Sequence, residues 1–174
     1  MNKTRSLTYS SLFLAFSVLL PMLFHFFGGA GQVFLPMHIP VLLTGFILGS
    51  VEGFLVGLLA PLLGFLFTGM PAVPAVYFML FELSAYGFFS GLFYKNRALG
   101  LYPSLVLSMI LGRILLAASL LMLQPLLGLS LSPTTYLIGG LTTGLPGMLI
   151  QLIFLPPTVK LLEKAGEYLA RDTF

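Results

Sequence analysis

Six long apolar runs, separated by short polar or glycine-rich breaks, set the pattern of this chain. A helix needs roughly 20 apolar residues to cross a bilayer. The first run, residues 7–27, has that length, with Pro21 near its far end. Gly28, Gly29 and Gly31, followed by Gln32, break the pattern as a loop that reaches Pro36. The second run, 35–49, and the third, 53–67, are shorter. Only Ser50, Val51 and Glu52 separate them, which predicts a tight helical hairpin. A loop carrying Pro71 and Pro74 follows, then runs at 75–94, 101–123 and 135–159. The tail, 160–174, is amphipathic and is expected to extend the last helix. The pattern predicts an all-α membrane protein: a compact bundle of six transmembrane helices in a single integral domain, 1–174. Gly45, Gly49, Gly53 and Gly57 recur every fourth residue, as do Gly140 and Gly144. Such ladders let helix backbones approach closely and are read as internal packing.

Charge orients the bundle. Lys3 and Arg5 precede the first run, Lys95 and Arg97 occupy one connection, and Lys160, Lys164 and Arg171 close the chain. The connections that alternate with these carry no charge. By the positive-inside rule both termini are cytoplasmic in a multi-pass protein of the cell membrane. Arg113 alone among the Lys and Arg residues departs from that side. Hydrophobic residues make up 58% of the chain and charged residues 7%, far from the balance of a soluble globular domain. The net charge of +3 does not point to nucleic acid, because the basic residues lie at membrane edges. With no Cys, disulfides and thiolate metal sites are excluded. The first run lacks a small-residue cleavage site after its apolar stretch and is read as a retained helix. The chain leaves no room for a separate catalytic or ATP-binding domain, and no cofactor is expected.

Two ionisable residues lie deep in predicted spans, Glu82 and Arg113. Glu82 falls about 12 Å below the outer end of its helix and Arg113 about 16 Å below the end of the next, at 1.5 Å rise per residue. A charge at that depth costs roughly 2.5–3.5 kcal/mol on insertion scales and normally faces a partner or a water-filled cavity. The pair is therefore either a brace between helices or part of a ligand site. In the second case Arg113 suits a bidentate acceptor through its planar fork. His25 and His38 flank the first outer loop, but a metal site would need a third ligand, and none is near in sequence. Gln151 is deep in the last span and is weighed as a ligand contact above Gln124. Tyr77, Tyr86 and Tyr136 fit an aromatic belt. Enzyme readings fail on inventory. The sole Asp, Asp172, is in the tail, neither His faces an obvious deep Ser, and His-Glu-x-x-His is absent.

The run Phe34-Leu35-Pro36-Met37-His38-Ile39-Pro40-Val41-Leu42-Leu43-Thr44-Gly45-Phe46-Ile47-Leu48-Gly49, after a Gly-rich first loop and a basic N-terminus, resembles the loop-to-second-helix segment of a known family. That family is the substrate-binding S component of energy-coupling factor (ECF) vitamin transporters, and the resemblance covers essentially the whole chain. The family's first helix carries Ala-x-x-x-Ala, and the matching residues here are Ser11 and Ala15, with Ser in the first place. The resemblance implies that this face docks on a transmembrane coupling subunit, alongside two ATP-binding cassette ATPases. It implies high-affinity capture of a vitamin or precursor from outside, and delivery by toppling of the whole component. It places the pocket in the outer half, where Tyr77, Glu82, Arg113 and Gln151 have suitable depth and His38 and Gln32 adjoin the first outer loop. One deep Arg leans the substrate slightly to pantothenate, and Glu82 also permits hydroxymethylpyrimidine or pyridoxine. A self-sufficient secondary transporter or channel and a structural membrane subunit stay open as alternatives.

Overall fold

The computed structural model describes residues 3–25, 30–97, 99–128 and 132–171. The end of the first predicted span and the opening glycines of the first loop, 26–29, lie outside the described residues. So do 129–131 in the loop before the last span, the last tail residues, 172–174, and the His25 side chain. The described chain is helical throughout: α1 (Lys3–His25), α2 (Ala30–Phe34), α3 (His38–Leu48), α4 (Ser50–Thr68), α5 (Ala75–Gly91), α6 (Leu101–Leu126) and α7 (Pro133–Arg171). Six helical segments are long and apolar enough to cross a membrane, with α2 and α3 counted as one.

The second run departs from the sequence expectation. It is not one helix over 35–49 but a short α2, a break at Leu35–Met37, and an α3 that starts only at His38. Leu35 takes a positive φ of 50° at that break. The Gly-rich loop is therefore partly helical. The hairpin turn is also tighter than expected, because α4 begins at Ser50 and Glu52 is already in its first turn. The turn is the single residue Gly49, at φ 123° and ψ −179°, a conformation that side chains rarely adopt. At the far end of α4, Gly69 closes the helix at φ 71° and donates its N–H to Phe65 O. Beyond Gly91, α5 continues as one π-helical turn, Leu92–Asn96.

Glycine explains why α3, α4 and α5 form the centre of the bundle. A Cβ at Gly53 would meet the carbonyl of Gly87, and one at Gly87 would meet the carbonyl of Gly53. A Cβ at Gly57 would meet Leu83 O, and one at Gly91 would meet the backbone at Gly49 and Ser50. Gly45 faces Ser90 and Gly87 O in the same way. The ladder therefore packs backbone on backbone, and the partner glycines come from α5. Around this seam Val41, Leu42, Phe46, Val56, Leu83, Leu105, Leu155 and Val159 form the buried core. The α1 span is the least buried of the six. It touches the core through Phe13 and Leu14, and Ser6 Oγ donates to Glu52 Oε1 at 2.8 Å. At the same end Tyr94 donates to Glu163 Oε2 at 3.0 Å, and Lys95 Nζ donates to Ile47 O.

Candidate functional site: a buried carboxylate and its four-helix surround

Three apolar helices bring side chains to one charged oxygen, and a fourth packs against the arginine that pairs with it. On α5, Phe78, Glu82 and Tyr86 are spaced i, i+4, i+8, so they share one inward stripe and all are buried. Glu82 is 4% exposed. Its Oε1 accepts from the Tyr86 hydroxyl at 3.2 Å and lies 3.1 Å from Nη1 of Arg113 on α6. His38 opens α3 beside it, with Nε2 3.8 Å from the same oxygen, beyond hydrogen-bond reach. The imidazole leans on the Tyr86 ring, centroid to centroid 5.2 Å.

Small residues make room for this cluster. A Cβ at Gly112 would lie 2.9 Å from Cζ of Tyr86, so glycine lets the ring pack closely against α6. Across from it, α7 presents Gly140 and Gly144 to the guanidinium. A Cβ at those places would stand 3.7 Å from Nη1 and 3.4 Å from Nη2. Leu35, at the break before α3, packs on the same side, with Cδ1 3.1 Å from a Cβ at Gly144. One turn further along α7, Gly147 receives the backbone of Val33 and Phe34, which seats α2 on α7. The Gly140/Gly144 ladder thus accommodates an arginine head rather than another helix backbone.

The electrostatics follow from that geometry. A carboxylate in the interior is tolerable only when paired and hydrogen-bonded, and Glu82 has both an ion pair and a hydroxyl donor. Arg113, with its side chain 19% exposed, is less completely satisfied. Its Nε and Nη2 are buried with no hydrogen-bond partner among the described residues, and the same holds for both His38 ring nitrogens and for Gln151 Nε2. Buried polar groups are normally paired, so a cluster of open ones marks a place where a ligand can supply the partners.

The residues singled out from sequence divide into two groups. Glu82, Arg113 and His38 come together. Gln151 is buried, 1% exposed, on the stripe of Gly144 and Gly147. It stands about 10 Å beyond Gly144 along the axis, seven residues at helical rise, past the point where α2 crosses Gly147. Tyr77 is 39% exposed and Gln32 is exposed as well. Neither has a hydrogen bond or ion pair to the Glu82 cluster among the described residues. Tyr86 is the residue that sequence reasoning missed. It is not a belt tyrosine but a buried donor to the central carboxylate. Its spacing of four from Glu82 was the available signal. Tyr136 packs edge-on against Phe78, 5.6 Å between centroids. Ser11 and Ala15 are exposed on α1, with Ser11 Oγ donating to Leu7 O. A separate groove of about 560 Å³, lined by Phe54, Leu58, Phe81, Phe88 and Leu115, opens on another side of α5, and its lining is apolar.

A polytopic helical membrane protein with a buried, incompletely paired charged cluster in its interior is the class these features define. The family model for the ECF transporter, substrate-specific component, matches residues 5–159, and the chain belongs to that family. No curated protein and no solved structure matches the chain. Members of this family are transport subunits rather than enzymes, and membership carries a vitamin-like substrate and ECF-module partners in general terms.

Proposed function

We propose that the chain is the high-affinity substrate-binding subunit of an ECF-type ABC importer for a vitamin or vitamin precursor. The observation that carries this is the Glu82 cluster. Among the described residues of a bundle otherwise almost uncharged in its spans, it gathers the deep ion pair and the open N–H groups of Arg113. The ligand enters from the uncharged side and takes its hydrogen bonds from Arg113 and His38, with Gln151 deeper on α7. Tyr77 and Gln32 serve at the mouth, where their exposure allows it.

The subunit has no motor of its own in this reading. It works with a transmembrane coupling subunit and two ATP-binding cassette ATPases, in the cell membrane with both termini cytoplasmic. Ser11 and Ala15 supply the docking face, and two facts support that assignment. Both side chains are exposed on the least buried span, and small residues let a partner helix come close. Toppling of the whole subunit then carries the ligand inward, and outer loops without charge make that rotation through lipid less costly. Which vitamin is bound turns on whether Arg113 acts as a free cation, since the lean to pantothenate rests on that charge.

Reconstitution tests the assignment. In proteoliposomes, uptake of a bound vitamin should require both ATP and the added coupling module. Binding by the purified chain alone should survive without either. Sustained uptake by the chain alone, driven by an ion gradient, would replace this reading with that of a self-sufficient secondary transporter.

A further inference from the structure

Arg113 is not a free cation. Its Nη1 lies 3.1 Å from Glu82 Oε1, so the two charges offset one another inside the bundle. What the guanidinium still offers is Nε and Nη2, both buried and without a hydrogen-bond partner among the described residues. Each can donate and neither can accept. His38 stands beside this pair without a hydrogen bond to it: Nε2 is 3.8 Å from the carboxylate, and both ring nitrogens lack a partner among the described residues.

A ligand carboxylate placed on the open edge of Arg113 would share one guanidinium with Glu82. Two carboxylates on one buried cation disfavour each other's ionised form. A ring nitrogen, carbonyl or hydroxyl oxygen takes the same two hydrogen bonds without that repulsion. Resting on the substrate-binding reading above, we propose that the ligand of this site is an uncharged molecule rich in hydrogen-bond acceptors, of the pyrimidine or pyridine kind, and not a carboxylate. Glu82 then acts as the specificity-determining residue: it spends the positive charge of Arg113 and leaves its N–H groups.

Two measurements on the full chain in lipid nanodiscs test this. Native mass spectrometry identifies any molecule that co-purifies. Titration calorimetry compares pantothenate with panthenol, its uncharged alcohol counterpart, and with hydroxymethylpyrimidine. The expected result is a co-purified uncharged molecule, or an uncharged probe bound at least about tenfold tighter than pantothenate. A co-purified carboxylate, or pantothenate bound as tightly as or tighter than both uncharged probes, would overturn the proposal and leave the substrate-binding reading in place. No co-purified molecule and no binding of any probe would overturn both. Glu82→Gln keeps the shape and an acceptor for Tyr86 but frees the Arg113 charge. It should shift preference toward pantothenate by about tenfold or more, and an unchanged preference in a folded variant counts against the proposal. Should that variant fail to fold, the wild-type comparison decides alone.

Discussion

Replacing Arg113 by alanine leaves the Glu82 carboxylate buried with one remaining hydrogen bond, from Tyr86. Removing one partner of a buried pair costs about 3–5 kcal/mol, because the surviving charge is left uncompensated. Here the low end applies. Tyr86 still donates to Oε1, and truncating an arginine side chain that is 19% exposed opens a path for water toward the carboxylate. A loss of about 3 kcal/mol corresponds to a fall of roughly 6–12 °C in Tm for a chain of this size. Glu82→Gln in the Arg113→Ala background removes the stranded charge while keeping an acceptor for Tyr86, and should restore at least about half of that loss. The assay is thermal unfolding of wild type, both single variants and the double variant, purified in one detergent without ligand, read as a double-mutant cycle. Strictly additive losses, with a coupling within about 0.5 kcal/mol of zero, would refute the pairing. Arg113→Ala melting within about 2 °C of wild type would refute the claim that the carboxylate depends on it.

Three further outcomes follow from the same geometry. Gly87→Ala should prevent folding or cost at least about 3 kcal/mol, because its Cβ meets the Gly53 backbone, whereas Gly144→Ala meets only movable side-chain atoms and should cost about 1 kcal/mol or less; comparative melting separates them. Ser11→Trp or Ala15→Trp should abolish uptake in the reconstituted transporter without changing ligand affinity, and unchanged uptake in both would remove α1 as the docking face. Cysteines placed at Gln32 and Lys95, both exposed, should label from opposite sides of the membrane with Gln32 outside, and labelling from one side would reject the topology.

The class of the fold was legible because lipid imposes a simple demand: backbone groups must be satisfied within helices, and those helices must be apolar and long. Proline did not hide them. Pro21, Pro61, Pro125 and Pro146 all lie inside continuous helices, as the membrane interior permits. The glycine ladder was legible as close packing, but its partners, Gly87 and Gly91, were not, because which helix meets it is a tertiary fact. The break at Leu35–Met37 lies inside an apolar run. Pro36, where the first loop was expected to end, is its one mark in the sequence, and the contact of α2 with Gly147 lies just before it. That break is also what brings His38 to Glu82, so this part of the site could not be read from spacing. Glu82 and Arg113 stood out because ionisable residues at membrane depth need a partner. Tyr86 did not stand out, since a tyrosine has an ordinary role at the bilayer interface, and its spacing of four from Glu82 was the one cue against that reading.

The backbone seam between α4 and α5 has a consequence for anyone seeking to change what this subunit carries. Where carbonyls rest against glycine Cα atoms, no side chain exists to trim or enlarge, and the spacing of the two helices is not adjustable by substitution. New specificity must therefore be sought on the opposite wall, where α7 and Leu35 meet the arginine side chain rather than another helix backbone. Leu35, Gly140 and Gly144 are such positions. A combinatorial library confined to them and to His38 would vary the pocket while keeping the half of the bundle that holds Glu82 in register. One spread over α4 would spend most of its members on chains that cannot close.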